Sequence, residues 1–204
     1  MDIEMPKILR EKQREVERLE RERLERERKR LAEIELRRIK ELQLQRLAGN
    51  HSPKLLGLYQ INANGTVTDK ALNINWMRCS LGQTWTGRNC DGEGNRYAWE
   101  SAKQMAQQVR FAGHTDWRLP TIEELKSLFY CSMGFHGKKC RQDSQRPTLF
   151  QSLFPNTPVK FYWSASLDTS SISDRVWGVH FNGGYDDSTG RYGRYYVRLV
   201  RSGQ

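Results

Sequence analysis

Aromatic residues are absent from the first 48 positions of this chain and abundant in the rest. The 204-residue sequence contains 6 Trp, 8 Tyr and 7 Phe, and all of them follow residue 48. Residues 1–48 instead carry 15 Lys and Arg side chains against 12 Asp and Glu. A segment so rich in charge cannot build a packed core by itself. The sequence therefore predicts a charged arm at 1–48, a linker at 49–57 and one globular domain at 58–204.

The arm has the composition of a long helix. Residues 14–47, REVERLERERLERERKRLAEIELRRIKELQLQRL, contain no Gly or Pro and consist mostly of strong helix formers. Glu precedes a basic residue by four positions, the favourable order for side-chain pairs on a helix, at Glu17/Arg21, Glu22/Arg26 and Glu25/Lys29. We therefore predict a helix in the arm, ended by AGNHSPK at 48–54.

Two roles for this helix stay open. Its apolar residues form a partial heptad seam at Leu24, Leu31, Ile39 and Leu42, which Val16 and Leu19 join imperfectly. Such a seam favours a coiled coil that oligomerises the C-terminal domain, with a trimer preferred. A lone charged helix that acts as a spacer explains the same composition.

The net charge is strongly positive. The formal charge of +10 divides into +3 on the arm and +7 on the remainder. An excess of this size favours polyanionic partners such as acidic glycans, nucleic acid or anionic cell surfaces. Because no recognised nucleic-acid motif is present, nucleic acid is the weakest of these partners.

Sequence signals for the cellular compartment conflict. No apolar run approaches the roughly 18 residues that a membrane-spanning helix needs, and the first residues lack the apolar segment of a signal peptide. These features predict a protein that stays in the compartment where it is made. Four cysteines form two local pairs, Cys79/Cys90 and Cys131/Cys140. Their spacing suits two short-range disulfides in an oxidising compartment better than a zinc site, and free thiols remain the alternative.

The globular part alternates between strand and helix patterns. Asn64-Gly65 separates two short strand-like runs, which predicts a hairpin. Residues 97–109, YAWESAKQMAQQV, predict a helix with one apolar face, formed by Ala98, Ala102, Met105 and Val109. Three aromatic and β-branched segments, 159–168, 175–183 and 195–202, predict strands. This order indicates an α+β domain with an antiparallel sheet.

The stretch DWRLPTIEEL, beginning at Asp116, predicts a structural corner. Pro120 sets the entry into a second helix, Thr121 and Glu124 form a capping box, and the buried stripe comprises Ile122, Leu125, Leu128 and Phe129. Trp117 and Leu119 are expected in the core, as is Trp76. We expect Asp116 to accept turn amides and Arg118 to pair with a carboxylate or a backbone oxygen. A ligand-binding or catalytic role for these two residues is the less favoured alternative.

Several segments resemble one family in the same order along the chain. They include VTDKALNINWMRCSLGQTW, GHTDWRLPTIEELKSL, LFPNTPVKFYWSAS, VWGVHFNGG and YYVRLVRSGQ. Together they resemble the Lcl C-terminal domain, found at the C-terminus of a collagen-like adhesin of Legionella. The resemblance covers residues 58–204.

The resemblance implies a C-type-lectin-like fold, with two helices and an antiparallel sheet, displayed as a trimer on a stalk. It also implies binding to sulfated glycosaminoglycans. This chain departs from the adhesin in having a charged helix where collagen-like repeats would stand and in lacking an export signal. The calcium-dependent sugar site of true C-type lectins uses Glu-Pro-Asn and Trp-Asn-Asp strings. Neither occurs here, so we predict no metal site and no cofactor.

Catalysis is not expected. The four histidines, His51, His114, His136 and His180, lie in different segments, and no nucleophile–base or paired-carboxylate motif is evident. A related fold occurs in formylglycine-generating enzymes, which use reactive cysteines. Cys131 and Cys140 do not recreate that arrangement. We therefore predict a protein without catalytic residues.

Residues 180–196, HFNGGYDDSTGRYGRYY, have the composition of a binding surface. Tyrosines offer rigid amphipathic area, and Asn, Asp and Arg offer polar contacts on a Gly-rich loop. Together with two upstream tryptophans, the predicted ligand-binding set is Trp163, Trp177, His180, Asn182, Tyr185, Asp186, Asp187, Arg191, Tyr192, Arg194 and Tyr195. The alternative is an ordinary polar hairpin whose tyrosines cover the sheet.

Two classes of function follow. The preferred one is an adhesin-like display protein that binds an acidic glycan or a protein receptor through this segment and a basic surface. We expect that surface to comprise Lys138, Lys139, Arg141, Arg191 and Arg194. The alternative is an intracellular protein-binding or scaffold module, including a retroelement-diversified variable protein of the same fold.

Overall fold

The computed structural model describes residues 7–47, 57–170 and 174–203, so all but Gly57 of the predicted linker lies outside the described residues. The chain separates into two compact units, residues 1–42 and 43–204. Residues 7–42 of the first unit belong to helix α1, Lys7–Leu47. The long helix predicted for the arm is therefore confirmed.

The exposed surface of α1 carries short-range ion pairs. Arg18 lies 2.7 Å from Glu15, Lys29 lies 2.8 Å from Glu25, and Arg21 lies 3.8 Å from Glu17. All six side chains are more than half exposed. Exposed pairs of this kind contribute little to the stability of the helix.

The globular part combines several small antiparallel sheets with two short helices. In chain order its elements are β1 (Tyr59–Ile61), β2 (Thr66–Asp69), β3 (Ile74–Met77), β4 (Thr84–Trp85), β5 (Cys90–Asp91), α2 (Trp99–Gln108), α3 (Ile122–Lys126), β6 (Phe135–His136), β7 (Lys139–Cys140), β8 (Phe161–Leu167), β9 (Arg175–His180), β10 (Tyr185–Gly190) and β11 (Val200–Ser202). This element order confirms an α+β architecture.

Two sheets organise the domain. One has the order β1-β2-β3-β11, so the last strand returns beside β3, with Val200 opposite Trp76. The other has the order β10-β9-β8. The remaining pairs, β4-β5 and β6-β7, are two-stranded. Residues 195–199, predicted as strand, contribute only isolated bridges of Tyr195 and Tyr196.

The predicted hairpin at Asn64-Gly65 joins β1 to β2. Gly65 has a φ of +83°, and Trp85 carbon atoms lie 2.7 Å from the position that a Cβ would take. The Asn64 carboxamide oxygen accepts hydrogen bonds from the Thr66 backbone (3.2 Å) and hydroxyl (2.7 Å). Only Gly suits this turn, because it combines left-handed backbone with close packing.

The helices bury faces close to those predicted. In α2 the buried residues are Trp99, Ala102 and Ala106, while the predicted Ala98, Met105 and Val109 are half-buried. Leu125, Leu128 and Phe129 are buried as predicted, but α3 ends at Lys126, so the last two lie beyond it. Trp76 and Trp117 lie in two adjoining core clusters, as expected of structural residues.

The corner before α3 is held by ion pairs and a capping box. The Thr121 hydroxyl accepts from the Glu124 backbone, and the Glu124 carboxylate accepts from the Thr121 backbone. Both terminal nitrogens of Arg118 donate to Glu124, at 2.8 and 2.7 Å. The capping box and the carboxylate partner of Arg118 are thus confirmed. Asp116 has a partner that the sequence did not predict, since Arg201 Nε donates to it at 2.8 Å.

Replacing Glu124 by Ala is expected to lower the free energy of unfolding by about 1–2 kcal/mol at pH 7. Burial raises the pKa of Glu124, but hydrogen bonds from Arg118 and Thr121 outweigh it, so the pKa lies below its usual value. The contribution is therefore present above the unfolded pKa of about 4.3 and is lost as the pH falls through the lower folded pKa. Urea unfolding at pH 7 and pH 3 measures this difference.

Glu123→Ala is the matched control. Glu123 pairs with Lys126 at 3.2 Å, but its side chain is 77% exposed. We expect its removal to change stability by less than about 0.5 kcal/mol at either pH. Equal losses for the two variants would contradict the assigned role of Glu124.

Candidate functional site

The predicted binding segment is a hairpin and not a flexible loop. Strands β9 and β10 pair in register from Tyr185 opposite His180 to Gly190 opposite Arg175. The strand pairing of a hairpin is therefore observed, and a ligand-binding role for the segment stays a prediction. Because a strand advances about 3.3 Å per residue, the two ends of β10 lie roughly 17 Å apart. The predicted ligand-binding residues consequently divide between two surfaces.

A cleft of about 820 Å³ lies at the Tyr185 end of β10. One wall is formed by residues 136–146, which begin inside the loop closed by the Cys131–Cys140 disulfide and continue beyond it, and the other by residues 182–185, where β9 turns into β10. The Cys140 backbone donates to the Gly183 carbonyl at 2.9 Å. Gly184 has a φ of +61°, and the Cys140 sulfur occupies the space that a Cβ would need. The hydrogen bond from Cys140 to Gly183 and the packing of the Cys140 sulfur against Gly184 thus join the two walls.

The cleft carries an excess of positive charge. Its lining residues include Lys139, Arg141 and Arg146 against a single carboxylate, Asp143, with His136 beside them. Arg141 and Asp143 are 3.9 Å apart, and both side chains are more than half exposed. The cations therefore remain hydrated and available to an anionic ligand.

Tyr185 forms the aromatic part of the cleft. Its ring stacks on His180 with centroids 4.6 Å apart, and the Lys139 ammonium lies 4.2 Å from its ring centroid. Burial lowers the pKa of His180; the charge of Lys139 adds to this effect and that of Asp187 opposes it. His180 is therefore mainly neutral at pH 7, and its ring stacks on that of Tyr185 without adding positive charge to the cleft.

At the other end of β10, Arg191 serves as a tether. Its guanidinium lies 2.7 Å from Asp174 and 3.9 Å from Glu100, and 5.7 Å from the Trp99 ring centroid. These contacts fasten the end of β10 to α2. Arg191 is thus only 25% exposed and already paired, which makes it a poor contributor to the basic surface.

Other predicted residues differ widely in accessibility. Tyr192 is 83% exposed, and Arg194 lines a second cleft, of about 450 Å³, with Arg96 and Tyr97. The Tyr195 ring packs against Phe161 and Trp163.

Trp163 requires a correction. It is fully buried, and its indole nitrogen donates to the Tyr97 carbonyl at 2.8 Å. Since residues 161–164 of β8 are all buried, Trp163 cannot contact a ligand without unfolding, and its predicted binding role is wrong. Trp177 is half-buried in β9.

The two aspartates of β10 have local partners. Asp186 lies 3.5 Å from the Lys126 ammonium, and Asp187 accepts from the Ser188 backbone at 2.8 Å. Asn182 is exposed and lines the larger cleft beside Tyr185. Of the predicted set, Asn182 and Tyr185 are therefore the residues that the larger cleft brings together.

Four lining residues of the larger cleft were not singled out from the sequence: His136, Gln142, Asp143 and Arg146. The available signal was the density of basic residues in residues 136–146, HGKKCRQDSQR. The sequence predicts Lys139 and Arg141 in the basic surface, but no local pattern indicates that this segment faces residues 182–185.

Within the described residues, no helix is long and apolar enough to cross a membrane. In the same part of the chain, no group of three or more His, Cys, Asp or Glu side chains is arranged to hold a metal ion.

One family model, that of the Lcl C-terminal domain, matches residues 65–201. The matched range includes both disulfides, α2, α3 and the residues of the larger cleft. No curated protein matches the chain.

Proposed function

The chain belongs to the Lcl C-terminal domain family, and from this premise we propose that its globular domain is a non-catalytic, adhesin-like recognition module whose larger cleft binds an acidic glycan. The observation that carries the proposal is the grouping of Lys139, Arg141 and Arg146 around Tyr185 in one cleft. Sulfate and carboxylate groups pair well with guanidinium and ammonium groups. Tyr185 adds a rigid amphipathic surface against which a sugar ring can pack.

Two further features support the proposal. One favours recognition over catalysis, and the other favours action outside the cell over action inside it. The sulfur of Cys140, which lines the cleft, is tied in a disulfide, so it offers no thiolate nucleophile. The two disulfides, Cys79–Cys90 and Cys131–Cys140, favour an oxidising compartment.

The test removes the cleft cations together, as Lys139→Ala/Arg141→Ala/Arg146→Ala. We expect affinity for heparin to fall about 30-fold or more at low salt. This estimate assumes that each of the three exposed ionic contacts contributes roughly 0.7 kcal/mol to binding. Binding of the parent protein should also weaken steeply as salt rises. Biolayer interferometry against immobilised heparin, chondroitin sulfate and uncharged dextran measures both effects.

The control removes three other exposed cations, Lys70, Arg88 and Lys160, none of which lines the cleft. This control variant has the same net charge as the cleft variant, and its affinity for heparin should fall no more than about threefold. If both triple variants lose affinity equally, the attraction is a property of the whole charged surface and the cleft proposal fails.

Protein recognition at the other end of β10 is the second candidate. The observation that favours it is the 83% exposure of Tyr192 beside the exposed Arg194, because Tyr and Arg are enriched in binding hot spots. This candidate predicts that Tyr192→Ala/Arg194→Ala abolishes capture of a protein receptor while heparin binding is retained.

A further inference from the structure

Five positions on one face of α1 repeat at an interval of fifteen residues, whereas Glu27 on the same face is followed by Leu42. Val16 and Leu19 recur as Leu31 and Ile34, Glu20 recurs as Glu35, and in the sequence Arg23 and Leu24 recur as Arg38 and Ile39. The opposite face does not repeat, since Arg18 is followed by Glu33 and Glu22 by Arg37 at the same interval. A solitary helix gains nothing from a repeat on one face, so this face is specialised for contact.

The apolar residues of the repeating face are uncovered. Their exposed fractions are 60% for Val16, 49% for Leu19, 51% for Leu24, 60% for Leu31 and 53% for Ile34. The ion pairs of α1 described above use Glu15, Glu17 and Glu25. Among the described side chains, Glu20 and Arg23 have no ion-pair partner. Both apolar and charged groups of this face are therefore available to another helix.

The period explains why the arm fits a heptad seam poorly. Fifteen residues in four turns correspond to about 3.75 residues per turn, which exceeds the 3.6 of a straight α-helix, whereas a heptad has 3.5. Helices that keep such a face in contact must supercoil in the right-handed sense, opposite to a heptad coiled coil.

The charges select the orientation of the partner. Counted at four turns per fifteen residues, Glu20 and Glu35 lie on one side of the line through Val16 and Leu31, and Arg23 lies on the other. Parallel copies bring the acidic side of one helix beside the basic side of its neighbour. Antiparallel copies bring acidic beside acidic and basic beside basic, which is unfavourable. The occupant of this face that satisfies both the apolar and the charged groups is thus another copy of the same helix.

We propose that α1 associates with further copies of itself through this face, as a parallel, in-register bundle with a right-handed supercoil. Glu27 lies near the middle of the stripe, where a charged residue lowers stability but fixes the register. The proposal is independent of the ligand site, because every residue that carries it lies in α1.

Orientation is tested with the full chain by single cysteines, Val16→Cys in one variant and Leu31→Cys in another. In a parallel, in-register bundle both variants form intermolecular disulfides under mild oxidation, identified by peptide mass analysis. An antiparallel pair can bring at most one of these positions beside its own copy, since they are roughly 22 Å apart along the helix. Arg18→Cys and Glu33→Cys, on the opposite face, are the controls and should not cross-link.

Association itself is measured by analytical ultracentrifugation. We expect Leu31→Asp/Ile34→Asp to raise the dissociation constant at least about 100-fold, which corresponds to roughly 2.7 kcal/mol, while Arg18→Ala/Glu33→Ala leaves it unchanged. Glu20→Arg and Arg23→Glu should each weaken association alone, and an equimolar mixture should recover it. A monomeric parent chain at all concentrations, or cross-linking at only one of positions 16 and 31, would overturn the proposal.

Discussion

Replacing Arg198 by Ala should lower the free energy of unfolding by about 3–5 kcal/mol, the range found when a buried polar network loses its central group. Arg198 is fully buried. Its guanidinium donates to the carbonyls of Met77 (2.9 Å) and Arg78 and to the Thr157 hydroxyl (2.7 Å), and it lies 4.7 Å from the Phe154 ring centroid. Truncation would leave these acceptors unpaired and open a cavity.

Burial also makes this arginine costly to accommodate. Burial lowers the pKa of Arg198 to about 10. The guanidinium is therefore still cationic at pH 7, although it has lost its hydration shell. Its environment includes Tyr162, whose pKa burial raises to about 12 and whose hydroxyl lies 2.7 Å from that of Ser80. The structure therefore depends on the hydrogen bonds of Arg198 to offset the cost of burying it.

Arg194→Ala is the matched control for Arg198→Ala. Arg194 is the same residue type four positions earlier, but it is exposed, so its removal should change stability by less than about 0.5 kcal/mol. Urea unfolding at pH 7 with the disulfides kept oxidised measures both variants. A loss below about 1 kcal/mol for Arg198→Ala would show that the domain does not rely on this network.

Removing the second disulfide, as Cys131→Ser/Cys140→Ser, is expected to affect both stability and ligand binding. Opening a loop of about ten residues should lower the free energy of unfolding by about 3 kcal/mol. The same loop carries His136 and Lys139 into the cleft, and its end contacts Gly183. We therefore expect heparin affinity to fall at least about tenfold although no charge is removed, because the cations lose their fixed spacing.

The first disulfide provides the control. Cys79→Ser/Cys90→Ser opens a loop of similar length, with a sequence separation of 11 against 9, and neither cysteine lines the cleft. It should lower stability by a similar amount and leave heparin affinity unchanged. Binding is compared at a temperature where circular dichroism shows both variants folded. An unchanged affinity after loss of Cys131–Cys140 would mean that charge density alone accounts for binding.

Features that depend on neighbouring residues could be predicted from the sequence. The Thr121/Glu124 capping box, the Asn64-Gly65 hairpin and both cysteine pairs involve residues at most eleven positions apart. Local backbone geometry decides such contacts, so residue type and spacing are sufficient. The helix of the arm belongs to the same class, and its fifteen-residue repeat is visible in the sequence once the period is not assumed to be seven.

The alternating pattern of residues could not show which arginines are buried. Arg194 and Arg198 both stand in the segment RYYVRLVRS, yet one is exposed and the other has no accessible surface. Residues 197–200 are buried without alternation because the chain there runs between the two core clusters. Alternation of apolar and polar residues shows which side chains of a strand are buried only where one face of that strand is exposed to water.

By itself, the sequence determined the charged helical arm, the α+β class, the corner before α3 and the family, because each depends on local residue order. Only the tertiary structure decided where the cleft lies and which side chains it contains. The loop at 136–146 and the turn at 182–185 are joined by the Cys140–Gly183 backbone hydrogen bond, a contact between segments distant in the chain. The pairing of β9 with β10 separates the predicted binding residues between the two ends of β10, and packing of the domain buries Trp163 in the core. Packing between distant segments sets side-chain exposure, and no local pattern encodes it.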